Sequence, residues 1–142
     1  MTHPPFAFPD TIEADLAALC AQWSQLKRGQ AEMPFADDVK LSALPHPASA
    51  MLIDVFARRA RFRFAIVGET IRTFYGKDLD GRFADEIAAR PPFDYFLAQC
   101  SATVEARAPT YYRAKSYARV LLPLWGEGHI HMLLGGVTTA KH

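Results

Sequence analysis

The hydrophobic period changes along this chain, and the places where it changes limit the folds open to it. From Pro109 onward the period is two: Tyr117, Arg119, Leu121 and Pro123 alternate with Ala118, Val120, Leu122 and Leu124. After the turn signal Gly126-Glu127-Gly128 a second run follows, in which Ile130, Met132 and Leu134 are expected to share one face. Such alternation predicts strands, because successive side chains of an extended chain point to opposite sides. The same period occurs earlier in "MLIDVF" and "RFRFAIV", with a reversal predicted at residues 57–60. There Phe62, Phe64 and Ile66 are expected on one side and Arg61 and Arg63 on the other, giving an antiparallel pair with one wet face.

Elsewhere the spacing is helical. "DTIEADLAALCAQWSQLKRG" predicts a helix capped by Asp10, with Glu13 three residues later as in a capping box and Gly29 at its end. Its stripe is Ile12, Leu16, Leu19, Cys20, Trp23 and Leu26. The proline-marked stretch that follows predicts a connection with one short helical turn within residues 38–44. Past the second strand, residues 69–75 predict a helical turn, "GKDLDG" a reversal and residues 83–89 a short helix with Phe83 and Ile87 on one face. Phe93, Phe96, Leu97, Cys100 and Val104 mark the apolar side of another helix.

This order predicts an α+β domain: one five-stranded antiparallel sheet with inserted helices across one face and an N-terminal helix. A chain of 142 residues, half of them hydrophobic and 22% charged, can bury such a core without metal or disulfide staples. Residues 1–9 are expected as a flexible N-terminal stretch, 10–45 as the first helix and its connection, and 46–139 as the core.

The pieces, taken in order, resemble a PAS domain. The similarity is to small bacterial proteins made of a PAS-like fold and an N-terminal helix, and it covers about residues 10–138. It rests on Trp23 in the first helix, on the Met33-Pro34 and Leu44-Pro45 marks of the connection, and on "IDVF" and "RFRFAIVGETI" with Gly68 before the first inserted helix. It continues through "GKDLDG" at residues 76–81, "LLPL" at residues 121–124 and the closing "HIHMLLGG". Ala65 stands where that family often has arginine, and Asp80 where it often has threonine. The resemblance implies a sensory or protein-interaction domain with a pocket between sheet and inserted helices, and pairing through the N-terminal helix.

Other chemistries find little purchase in the residues. A phosphate loop needs Ser or Thr after Gly-Lys, whereas Asp78 follows Gly76-Lys77 and its neighbouring carboxylates repel phosphate. "GKDLDG" is therefore expected as a structural loop, with Gly68, Gly76 and Gly81 at tight or positive-φ positions and Asp78 and Asp80 serving loop N–H groups. Asp78, Asp80, Asp85 and Glu86 miss the calcium-loop spacing. His129 and His131 share a strand face but lack a third metal ligand in the sequence, so exposed strand histidines are expected. No histidine falls between His46 and His129 to hold haem from an inserted helix, and Cys100 lacks the Asn-Cys-Arg setting of a photoactive flavin domain. No cofactor, no metal and no catalytic residue is expected, since no nucleophile elbow or nucleophile–histidine pair can be read.

A formal charge of +1 gives no reason to expect nucleic acid or an anionic membrane as partner. Two cysteines, neither in a CxxC pair, and no apolar run near the length of a bilayer span predict a cytoplasmic protein. The leading expectation is a non-enzymatic signalling domain that binds a protein partner or a second copy, with Ile12, Leu16, Leu19, Trp23 and Leu26 as interface. The alternative is a regulatory domain for an unidentified small ligand, with a pocket of Phe64, Ile66, Ile71, Phe74, Phe83, Phe96, Leu122 and Leu134.

Overall fold

A computed structural model of the chain describes residues 6–56 and 61–139. The predicted reversal at residues 57–60 and the first five residues of the N-terminal stretch lie outside that description. Five strands form one sheet: β1 (Ala50–Phe56), β2 (Arg61–Val67), β3 (Thr110–Arg113), β4 (Tyr117–Gly126) and β5 (His129–Thr139). Their order is β2-β1-β5-β4-β3, and every neighbouring pair is antiparallel. The described α-helices are α1 (Ala14–Gln25), α2 (Glu69–Tyr75) and α3 (Phe96–Ala106), the last two in the long crossing from β2 to β3. The protein is thus α+β, with an open antiparallel sheet.

The registers show which side chains share a face. Gly136 pairs with Val120, and Leu134 with both Leu122 and Leu52. A Cβ on Gly136 would lie 2.6 Å from Leu19 Cδ2, so this is the face that α1 covers. The connection extends that cover, burying Met33, Val39 and Leu44 in the same core. On the other face Phe64 pairs with Ile53, Ile53 with Leu133 and Leu133 with Pro123. There α2 and α3 pack, Phe74 meeting Tyr117 edge-on at 6.0 Å and Phe96 stacking on Phe64 at 5.4 Å. With helices on both faces, β4 is buried from Tyr117 through Leu124 and β1 is buried over most of its length. The single wet face expected for β1 and β2 survives only as the alternation of β2.

Three local expectations are corrected. Helix α1 begins at Ala14 with Glu13 as N-cap and no side-chain cap, not at Asp10. The Glu13 carboxylate is engaged elsewhere: Tyr111 Oη donates to its two oxygens at 2.9 and 3.1 Å, a tertiary contact that outcompetes the capping box. The short helix expected over residues 83–89 is a single 3-10 turn, Ala84–Glu86, because Phe83 is extended and bridges Arg63 at the free edge of β2. Phe64 N–H donates to Arg82 O at 2.9 Å and Gly81 N–H to Phe64 O at 2.7 Å, so the segment covers an edge that would otherwise be open. At the opposite edge Tyr111 N–H donates to Phe6 O at 3.1 Å. Last, Ile130 does not share a face with Met132 and Leu134, since Trp125 pairs with Ile130 and leaves His131 as an extra residue in β5.

Trp23 ties α1 to the sheet twice over. Its ring is 5% exposed and its Nε1–H donates to Pro123 O at 2.9 Å. Replacing Trp23 with alanine should therefore cost about 3–5 kcal/mol of stability, combining cavity formation with an unsatisfied carbonyl. Urea unfolding followed by far-ultraviolet circular dichroism measures this, and a change below about 1 kcal/mol would contradict the packing assignment.

Candidate functional site

The space between the sheet and the inserted helices, where the sequence reading expected a pocket, is occupied by side chains. Phe64, Phe93 and Phe96 meet one another with ring centroids 5.0–5.4 Å apart, and Tyr75 adds its ring to Phe93 at 5.5 Å. Beside them lies Arg119 of β4, 0% exposed. Its Nε donates to Gln99 Oε1 at 2.7 Å, Nη1 to Pro92 O at 2.7 Å and Nη2 to Asp94 O at 2.9 Å. The guanidinium also faces the rings of Phe96 at 5.1 Å and Tyr112 at 5.0 Å.

A polar network extends from this fork. Gln99 Nε2 donates to Thr110 Oγ1 at 3.1 Å, Thr103 Oγ1 donates to Gln99 O at 2.8 Å, and the two threonine hydroxyls lie 2.6 Å apart. Tyr117 Oη donates to Asp94 Oδ2 at 2.9 Å and accepts the Asp94 N–H at 3.1 Å. Burial lowers the Arg119 pKa, the nearby Tyr117, Cys100 and Tyr112 partly opposing it, and burial with the Asp94 bond raises that of Tyr117. Every acceptor facing Arg119 is neutral. The arrangement can hold the 92–94 segment and α3 against β4.

The predicted pocket residues divide. Phe64, Ile71 and Phe96 are buried on the insertion face and Phe74 is half-buried against Tyr117. Four others are corrected. Ile66 is 46% exposed: a bulge at Ala65 lets Ile66 pair with Leu52 while Phe64 pairs with Ile53, which reverses the side-chain parity between them. Leu122 and Leu134 are buried, but on the α1 face. Phe83 lies outside at the β2 edge, against Phe56 at 5.5 Å and under the Arg61 guanidinium at 3.8 Å.

The residues expected at an interface are largely enclosed by their own chain. Leu16, Leu19 and Trp23 are buried under the sheet, while Ile12 and Leu26 are half-buried against the same core. In the "GKDLDG" loop Gly76 and Gly81 have φ of 93° and 83°, Asp78 Oδ1 accepts the Asp80 N–H at 3.1 Å, and Asp80 Oδ1 accepts the Val67 N–H at 2.9 Å. Gly68 is extended, and a Cβ there would overlap the Ala48 carbonyl, so its constraint is close approach of two backbones. No group of three or more His, Cys, Asp or Glu side chains among the described residues is placed to hold a metal ion.

Arg119 and its partners Gln99, Thr103 and Thr110 were not among the sequence candidates. One signal could have found Arg119: it is the single charge inside "YARVLLPL", and its alternation partner Leu121 is a core residue. Open surface clefts are also present. One of about 710 Å³ lies between the start of α1, the start of β4 and the end of β5, near Glu13, Arg113 and Thr138. Two more, about 430 and 380 Å³, flank α3.

Two measurements test this description. Arg119→Ala should lose about 3–5 kcal/mol, because it strands two buried acceptors and a part-buried one and opens a cavity, and Arg119→Met should recover part of that by refilling the volume. Equal stability of Arg119→Ala and wild type in urea would contradict a buried fork. Burial pushes the Cys20 thiol up to about 11 and that of Cys100 further still. Thiolate is the reactive form, so native protein at pH 8 should react with a disulfide reagent far more slowly than denatured protein, Cys100 last.

Among the described residues, no helix is long and apolar enough to cross a membrane. Comparison with protein-family models, with curated proteins and with solved structures finds no match to this chain.

Proposed function

We propose that this chain is a PAS-like signalling module without catalytic activity of its own, acting by contact with another protein chain or a second copy. The observation that carries the reading is the filled interior. Where a sensor would hold a ligand, the space is taken by the rings of Phe64, Phe93 and Phe96 and by the bonded Arg119 fork. The open, all-antiparallel sheet with its long helical crossing is consistent with the PAS resemblance of the sequence.

Contact must then use surfaces other than the α1 stripe, which the chain spends on its own core. Phe56 at the end of β1, Ile66 near the end of β2, and Tyr95 and Leu97 before and within α3 are exposed apolar groups suited to that role. Sedimentation over a roughly hundredfold concentration range, with calorimetric melting in the presence of metabolite pools, tests the reading. Concentration-dependent association with an unchanged melting temperature supports it. A retained chromophore, or a melting temperature raised several degrees by a small molecule, would overturn it in favour of a ligand-binding regulator.

A further inference from the structure

The two edges of the sheet are covered unequally. The β2 edge is closed by the 81–83 segment, through two backbone bonds and the Phe83 bridge. Among the described residues, the cover of the β3 edge is a single backbone bond, from Tyr111 N–H to Phe6 O at 3.1 Å. The Phe6 ring lies 6.2 Å from Tyr112 and the Phe8 ring 6.1 Å from Tyr111. Adjacent strand residues point to opposite faces, so the two phenylalanines straddle the edge as a strap. Pro9 has no N–H with which to add a rung, and Phe8 is 41% exposed.

The uncovered part of this edge is complementary to itself. Tyr111 N–H turns away from β4, so the backbone groups of Arg113, two residues on, turn away as well, while Ala114 N–H turns back to Tyr117 O at 2.8 Å. The outer row of β3 therefore consists of the N–H and C=O groups of Tyr111 and Arg113. An antiparallel copy related by a two-fold axis at Tyr112 sets Tyr111 opposite Arg113 of the second copy, where the two exchange both backbone bonds, four across the seam. The side chains suit the same register. On the insertion face the two Tyr112 rings meet, beside Tyr95, which is 68% exposed and 5.8 Å from Tyr112 of its own chain. On the α1 face each Arg113 guanidinium comes opposite Tyr111 and Glu13 of the other copy, a ring and a carboxylate. Within its own chain Arg113 has a loose partner, its Nε 3.9 Å from Glu13 Oε2 and its side chain 71% exposed.

Resting on the signalling reading, we propose that the β3 edge is the docking site for a second copy of this chain, joining the two sheets into one, and that the Phe6–Phe8 strap competes with that copy for Tyr111 N–H. The strap holds one backbone bond where the second copy makes four, so it weakens association without forbidding it.

Sedimentation equilibrium of three full-length proteins tests this: wild type, Phe6→Ala/Phe8→Ala, and that double variant with Arg113→Pro added. Proline suits position 113, an edge residue whose N–H makes no ladder bond, and circular dichroism checks the fold of each protein. Loosening the strap should strengthen self-association about tenfold, and the proline, which removes the Arg113 donor from both copies, should weaken it by at least as much. Cross-linking tests the register separately. Tyr112→Cys sets two thiols across the axis with Cα atoms about 4.5 Å apart, so mild oxidation should give a disulfide-linked dimer, whereas Arg113→Cys, out of register with its own copy, should not. Self-association indifferent to the strap and to Arg113→Pro overturns the β3 edge and leaves the signalling reading to another surface. A strap variant that stays monomeric up to about 1 mM, with no Tyr112→Cys dimer, also overturns it and leaves contact with a different protein chain.

Discussion

The rest of the insertion face depends on one buried cation. Placing a guanidinium away from water costs several kcal/mol, and no buried carboxylate offsets that cost at Arg119. What offsets it is geometry: the planar fork reaches one side-chain and two backbone oxygens in three directions, and two aromatic faces cover it. Two of those oxygens, Pro92 O and Asp94 O, belong to a segment with no regular structure of its own, whose backbone groups need partners if they are to be buried. Arg119 satisfies that segment, and the segment solvates Arg119. An apolar residue at this position could fill the volume, but it could not specify where residues 92–94 lie.

The other face is organised by small side chains. Gly135 and Gly136 sit side by side in β5 and so point to opposite faces. At Gly136 the missing Cβ admits Leu19 and Leu16 of α1, and at Gly135 it admits the Met51 side chain. A central strand can thus have helices close on one side and a dense apolar layer on the other. Trp23 then fixes the position of α1 through its bond to Pro123 O, a carbonyl of the strand that also carries Arg119. Strand β4 is accordingly the common support of both layers, which explains why it is buried on both faces while β2, at the edge, alternates.

The periodicity of the chain made the strands and helices legible, because alternation and helical spacing are local properties. Facing was less legible, because it depends on registers set by single residues. Ala65 inserts one residue into β2, and Ile66 moves from the expected pocket to solvent. Leu122 and Leu134 have the same composition signal as their neighbours Leu121 and Leu133, and only their pairing with each other and with Leu52, in the parity of the Val120–Gly136 pair, shows that they face α1. Phe83 looked helical by its spacing from Ile87, yet the free edge of β2 recruited it as an extended partner. The stripe of α1 was readable as apolar; whether its own sheet or a second molecule covers it is a tertiary question that no local pattern decides.

The same economy bears on how such a domain would communicate. On the signalling reading proposed above, with the interior filled and α1 committed inward, a signal would enter through groups at the ends and edges of the sheet. The 92–95 segment is held by Arg119 and Tyr117 from below, so exposed Tyr95, at 68%, is presented from a fixed base. The β4–β5 hairpin is held by its turn and bulge, and it closes the far end of the strand that carries Arg119. A ligand or partner that bound either place would act on β4 directly, without requiring a cavity to open. Coupling of that kind needs two arrangements of a common element, and β4 is the one element that both the Arg119 fork and the hairpin share.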